Sequence, residues 1–117
     1  MTTRRKSNDR LALFQGTLDL LILRMLQAGP QHGQGIARRI DAQSDGVLLV
    51  DHGSLYPALQ RLEGKGWIDA EWGTSDRNRQ ARFYSLTRSG SKQLNHDASE
   101  WRRFAAAMAR FVGPETA

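Results

Sequence analysis

Three histidines and a group of arginines are the residues here whose types could do chemistry. His32, His52 and His96 stand at spacings that define no metal box. Cysteine is absent, which excludes disulfides, thiolate metal sites and a cysteine nucleophile. No Ser/His/Asp elbow stands in a strand–turn–helix context. Gly33 and Gly35 lack the preceding strand and third glycine of a nucleotide loop, so they read as a tight turn where two helices cross closely. Catalysis is not expected, and no cofactor or metal is called for. The arginines suit another task. Arg77, Arg79 and Arg82 share the polar run from Gly73 to Arg82 with a single acid, Asp76. A basic loop of this kind can lie along a phosphate backbone or minor groove; a merely solvated turn is the alternative.

These arginines need elements to position them. Upstream lies HGSLYPALQRLEGKG, in which Leu55, Leu59 and Leu62 form one inward face of a helix. Proline clashes with the helical carbonyl four residues earlier, so Pro57 puts the start of this helix at Gly53 or Ser54. Ser54, Tyr56, Gln60 and Arg61 accompany the outward face, small and polar at its N-terminal end. That is the end which enters a major groove in helix-turn-helix motifs. His52, just before it, is either a phosphate or base contact or a solvated residue. Alternation in Trp67–Trp72 and in Arg82–Leu86 gives two strands around the basic loop. Helix, hairpin and basic loop in this order are the C-terminal half of a winged helix-turn-helix.

The segments before it read as scaffold. Leu18, Leu21, Ile22, Met25 and Leu26 recur at helical spacing after Thr17, which caps, and before Gly29-Pro30, which stops the helix. A shorter helix from His32 carries the Ile36 and Ile40 anchor, with Arg38 and Arg39 outward and an exit at Ser44-Asp45-Gly46. Val47–Val50 is a short strand or a buried linker. Asp9–Phe14 reads as a short lead-in helix. Residues 1–8 are basic, serving as a solvated tail or as an arm on DNA phosphates.

At 117 residues with a formal net charge of +5, the chain is one small domain suited to a polyanionic partner. Its longest apolar run, Leu20–Leu23, is far too short to span a bilayer. The N-terminus has no secretory h-region, so no membrane role is expected and the cytoplasm is the expected compartment.

After Thr87, a good cap, a helix of about 37 Å runs from Arg88 to Val112. Leu94, Ala98, Trp101, Ala105, Met108 and Val112 step along it in an a/d heptad seam, widened by Phe104 and Phe111. A small domain with its own core cannot bury that seam, and two copies can. The expected organisation is a tail over 1–8, a winged helix-turn-helix over 9–87, a dimerisation helix over 88–113 and a disordered end over 114–117. The fold class is mainly α with a small β-hairpin.

GTLDLLILRML, HGQGIARRI, GSLYPALQRLEGKGWI, the R-x-R loop followed by RFYSLT, and LTRSG together resemble the PadR family of bacterial transcriptional regulators. The likeness runs from about Gln15 to Trp101 and is to the compact subgroup with one dimerising helix. It implies a homodimer reading a palindromic operator in double-stranded DNA, usually to repress its own or a neighbouring promoter. By position it implies that Ser54, Leu55, Tyr56 and Arg61 belong to the reading helix, and Arg77 and Arg79 to the wing. Leu55 also reads as core. His32 and Gln34 open the second helix and are counted with the DNA contacts; Gln34 stands where family members often carry an aromatic. Some members bind planar apolar or phenolic compounds at the dimer interface, and Trp101 falls where that pocket would be. Seam packing alone is the other reading of Trp101. A winged helix used only for protein–protein interaction is the alternative function.

Overall fold

The computed structural model describes residues 11, 12 and 15–113, so the basic tail, the C-terminal end and most of the expected lead-in helix lie outside the described residues. The chain runs β1 (Leu11–Ala12), α1 (Gln15–Leu26), β2 (Gln31–His32), α2 (Gly33–Gln43), β3 (Leu48–Leu49), α3 (His52–Gly64), β4 (Ile68–Thr74), β5 (Gln80–Leu86) and α4 (Arg88–Val112). This is the expected winged helix-turn-helix with a long last helix. Leu18, Ile22, Ile36, Ile40, Leu55, Leu59, Leu62, Ile68, Tyr84 and Leu94 make one buried core spanning every helix and the hairpin. Full burial of each large apolar side chain contributes about 1.5–3 kcal/mol. That shared core fixes α3 against the rest.

Several expectations are corrected. Leu11–Ala12 is a strand rather than part of a helix, pairing in parallel with Leu48–Leu49. That pairing makes the middle of Val47–Val50, Leu48–Leu49, a two-residue strand. α1 begins at Gln15, so Thr17 lies in its first turn and is not its cap. The hairpin gains a third strand: β2 pairs antiparallel with β5, giving the order β2-β5-β4. β4 and β5 stay in register out to Thr74 and Gln80. The turn between them is therefore shorter than the polar run suggested.

α3 starts at His52, one residue earlier than Pro57 allowed. Asp51 is the reason. Its Oδ1 accepts from the Gly53 amide at 2.9 Å, and its carbonyl accepts from the Ser54 and Leu55 amides at 3.0 Å. A carboxylate cap of this kind stabilises the first turn. Pro57 still withholds its amide from the Gly53 carbonyl, but that carbonyl lies in an exposed first turn where water can satisfy it.

The hairpin joins α4 through Thr87. Its Oγ1 donates to the Gly66 carbonyl at 2.7 Å and accepts from the Gly90 amide at 2.9 Å, while its amide donates to the Trp67 carbonyl at 3.1 Å. Gly90 lets α4 begin there, because a Cβ at that position would run into the Trp67 carbonyl oxygen. The base of the wing and the start of the long helix are thus one rigid joint.

Candidate nucleic-acid interface

α3 divides cleanly. Leu55, Ala58, Leu59 and Leu62 are buried, while His52, Ser54, Tyr56 and Gln60 are exposed. Leu55 is therefore core and contacts nothing outside the domain. Ser54 donates its hydroxyl to Asp51 Oδ2 at 3.0 Å. With its proton committed, Ser54 Oγ presents lone pairs outward, which suits an amino group on a base edge better than a phosphate oxygen. The Tyr56 ring meets the His52 ring edge-on at 6.1 Å and rests against the first residue of α2. Gly33 makes room for it, since a Cβ there would lie 2.8 Å from the Tyr56 ring and hydroxyl.

The wing turn is built by Ser75. Its amide donates to the Arg79 carbonyl at 2.7 Å, and its carbonyl accepts from the Asn78 amide at 2.9 Å. Ser75 Oγ also accepts from the Arg77 and Arg79 amides, at 3.3 and 3.4 Å. Asn78 completes the turn at φ +59°, a left-handed conformation asparagine tolerates. With the backbone tied inward, the Arg77 and Arg79 side chains are exposed.

Between the wing, Tyr56 and the start of α2 lies a cleft of about 460 Å³. Arg38, Arg77, Arg79 and Arg82 line it with Gln34 and one acid, Asp76. Arg38 and Asp76 approach only to 4.0 Å and both are largely exposed, so the pair leaves the cleft basic. Arg38 was not expected here, although its outward direction was legible. The arrangement can hold a run of backbone phosphates while α3 reaches past them.

Three expected contacts are placed otherwise. His32 is buried; its Nδ1 accepts from the Gly35 amide at 2.9 Å as the cap of α2, and its ring meets Phe83 at 5.2 Å. It forms a wall of the cleft and holds α2. Arg61 sits beside the buried stripe, three residues on from Ala58, and its Nη2 donates to Asp19 on α1 at 2.8 Å. Arg82 Nη2 donates to Glu63 Oε2 at 2.9 Å, with the guanidinium over the Tyr84 ring. Arg61 is thus paired largely out of water, and Arg82 is paired at the edge of the cleft, its side chain 40% exposed. Among the described residues no group of three or more acids or histidines could hold a metal ion.

A family model, described as the transcriptional regulator PadR-like family, matches residues 22–96, from within α1 to within α4. The chain belongs to the PadR-like family of transcriptional regulators. It is thus a DNA-binding regulator and not an enzyme. A transcriptional regulator from Clostridium thermocellum is similar in structure, with a TM-score of 0.76, 28% identity and coverage of 84% of this chain and 95% of that one. A PadR family transcription regulator from Clostridium difficile gives a TM-score of 0.71 at 28% identity, covering 82% of this chain and 98% of that one. An uncharacterized protein of Lysinibacillus sphaericus is 28% identical over 92 residues, 79% of this chain and 84% of its own length.

The PadR fold leaves α4 in two parts. Leu94 is buried in the core of its own domain, which corrects its place in the expected seam: it has no surface to offer a second copy. Ala98 is half-buried. From Trp101 onward the helix stands clear, with Trp101, Phe104, Ala105, Met108, Phe111 and Val112 all exposed. Phe111 is 86% and Trp101 47% exposed, and the Trp101 and Phe104 rings lie 5.7 Å apart. Among the described residues no helix is long and apolar enough to cross a membrane.

Proposed function

We propose that this PadR-family protein is a dimeric repressor that binds a palindromic operator at its own or a neighbouring promoter in the cytoplasm. The exposed apolar half of α4 carries this reading. Trp101, Phe104, Met108 and Phe111 follow heptad spacing on the outer half of α4, with Val112 beside them, and antiparallel or crossed pairing of two copies covers this stripe. A two-fold pair of α3 helices then meets DNA as two half-sites about one helical turn apart.

In this reading Ser54, Tyr56 and Gln60 face base edges, with His52 beside them. Gln34, Arg38, Arg77 and Arg79 hold phosphates. Each α3 carries few long polar side chains, so one copy discriminates weakly and the fixed pair supplies specificity. A planar aromatic effector seated between the two Trp101 indoles releases the operator if it favours a different spacing of the two α3 helices.

The test is titration of a labelled duplex from the upstream region of its own gene, followed by fluorescence anisotropy at about 0.15 M salt, where specific binders are separated from non-specific ones. Submicromolar binding that unrelated DNA does not compete supports the reading. No preference over unrelated DNA sinks it and favours a protein-interaction module.

A further inference from the structure

Asp19 lies where three helices converge. Arg61 from α3 and Lys65, which caps its end, attract its carboxylate, while Asp97 from α4, itself held by Gln93 Nε2 at 2.8 Å, repels it. Its bond to Arg61 Nη2, at 2.8 Å, joins positions 42 residues apart. The side chains are 15% exposed at Asp19 and 32% at Arg61, so both charges are largely withdrawn from water.

The pair is a poor stabiliser. Arg61 Nε is buried with no hydrogen-bond partner. Burial pushes the Asp19 carboxyl above its ordinary range, against the opposing pull of Arg61 and Lys65. Removing two charges from water is costly, and a single direct hydrogen bond with one donor left over does little to offset it. What such a bond does supply is direction. Leu55, Leu59 and Leu62 bury α3 but their contacts are non-directional, and a turn of the helix about its axis would keep most of them. A donor and acceptor held at 2.8 Å would not survive that turn. The bond also stands in the layer from which α4 leaves the domain: Leu94 is the last fully buried apolar residue of α4, and Asp97 follows it by less than one turn.

We infer that Arg61 and Asp19 are positioning residues for operator binding, fixing the rotation of α3 relative to α1 so that Ser54, Tyr56 and Gln60 face the groove. Arg61 then touches no DNA itself. This rests on the DNA-binding reading, and wild-type protein that fails to bind its upstream duplex would remove that reading first.

The experiment compares wild type, Asp19→Asn, Arg61→Gln and the double variant on the same labelled duplex over a range of salt, with thermal melting and sedimentation of each. Asn at position 19 keeps the shape, so the fold persists, but it turns the charge-assisted bond to Arg61 into a neutral one of about half the strength and holds α3 less firmly. Each single variant is expected to bind about tenfold more weakly, with the double no worse than either, as for two residues acting through one contact. The slope of affinity against salt stays that of wild type, and Asp19→Asn melts no lower and sediments unchanged. A merely structural pair would lower melting and affinity together in Asp19→Asn. A DNA-reading Arg61 would flatten the salt slope by about one unit in Arg61→Gln. In that case Asp19→Asn would bind as tightly as wild type or more so. Either result overturns the assignment.

Discussion

Arg82 on β5 donates to Glu63 at 2.9 Å, binding the hairpin to the C-terminal half of α3. Arg61 ties the other side of that half to α1. α3 is therefore braced by an ion pair on each flank of its C-terminal half, while Ser54 and Tyr56 in its N-terminal half are exposed. Two arginines beside the proposed interface are thus engaged by acids of their own domain.

The charges of the wing arginines should consequently separate in salt titrations. Arg77→Ala and Arg79→Ala should each flatten the dependence of log affinity on log salt by about one unit and weaken binding to all sequences alike. Arg82→Ala should leave the slope nearly at its wild-type value, because its charge is already answered by Glu63. A full unit lost in Arg82→Ala would show that the pair opens on DNA.

In the proposed function, base reading belongs to α3. Ser54→Ala and Gln60→Ala should each cost about 1–3 kcal/mol on the cognate duplex and relax preference at one base pair per half-site, leaving the salt slope unchanged. Competition against a panel of single-base operator variants measures this. The committed Ser54 proton points to a base with an amino group in the major groove, adenine or cytosine, as its partner.

Two glycines should respond in opposite directions. Gly90→Ala drives a methyl into the Trp67 carbonyl and should destabilise by about 1–3 kcal/mol or more in urea unfolding. Gly64→Ala meets open space at the end of α3 and should stabilise by about 0.4–1 kcal/mol through loss of unfolded-state freedom. Equal effects would mean that the joint between wing and α4 is not tight.

Asp19 gives stability a pH dependence whose sign can be worked out. Its folded-state pKa lies above the ordinary 3.8, because burial disfavours the carboxylate. The unfolded chain therefore loses this proton first. The favourable contribution is complete below the ordinary value and is lost as pH rises through the raised folded one. Asp19→Asn cannot titrate, so its stability relative to wild type should climb over that interval and level off by neutrality. Urea midpoints of the two proteins between pH 3.5 and 7, where about one pKa unit equals 1.4 kcal/mol, would show it. A gap that narrows with rising pH would contradict the account.

What the sequence made legible follows from range. α4 runs from Arg88 to Val112 as read, because its cap at Thr87 and its heptad spacing are local signals. The buried stripe of α3 was equally plain from Leu55, Leu59 and Leu62. Two-residue strands were not. β1 and β2 are too short to show alternation, and their partners lie far along the chain. The start of α3 was misplaced because the Pro57 rule outweighed Asp51, a favoured cap residue directly before it. Arg61 and Arg82 read as free cations, since the acids that engage them sit 42 and 19 residues away. His32 carried no local mark of burial at all.

The central claim is that two α3 helices, set apart by α4, read one operator together. Hydroxyl-radical footprinting of the wild-type protein on its own upstream region tests it most directly. The account predicts two related protected patches with centres about 34 Å apart, on one face of the duplex. Both should vanish together in a Phe104→Glu variant that sediments as a monomer. A single protected patch, or protection that survives in the monomeric variant, would contradict it.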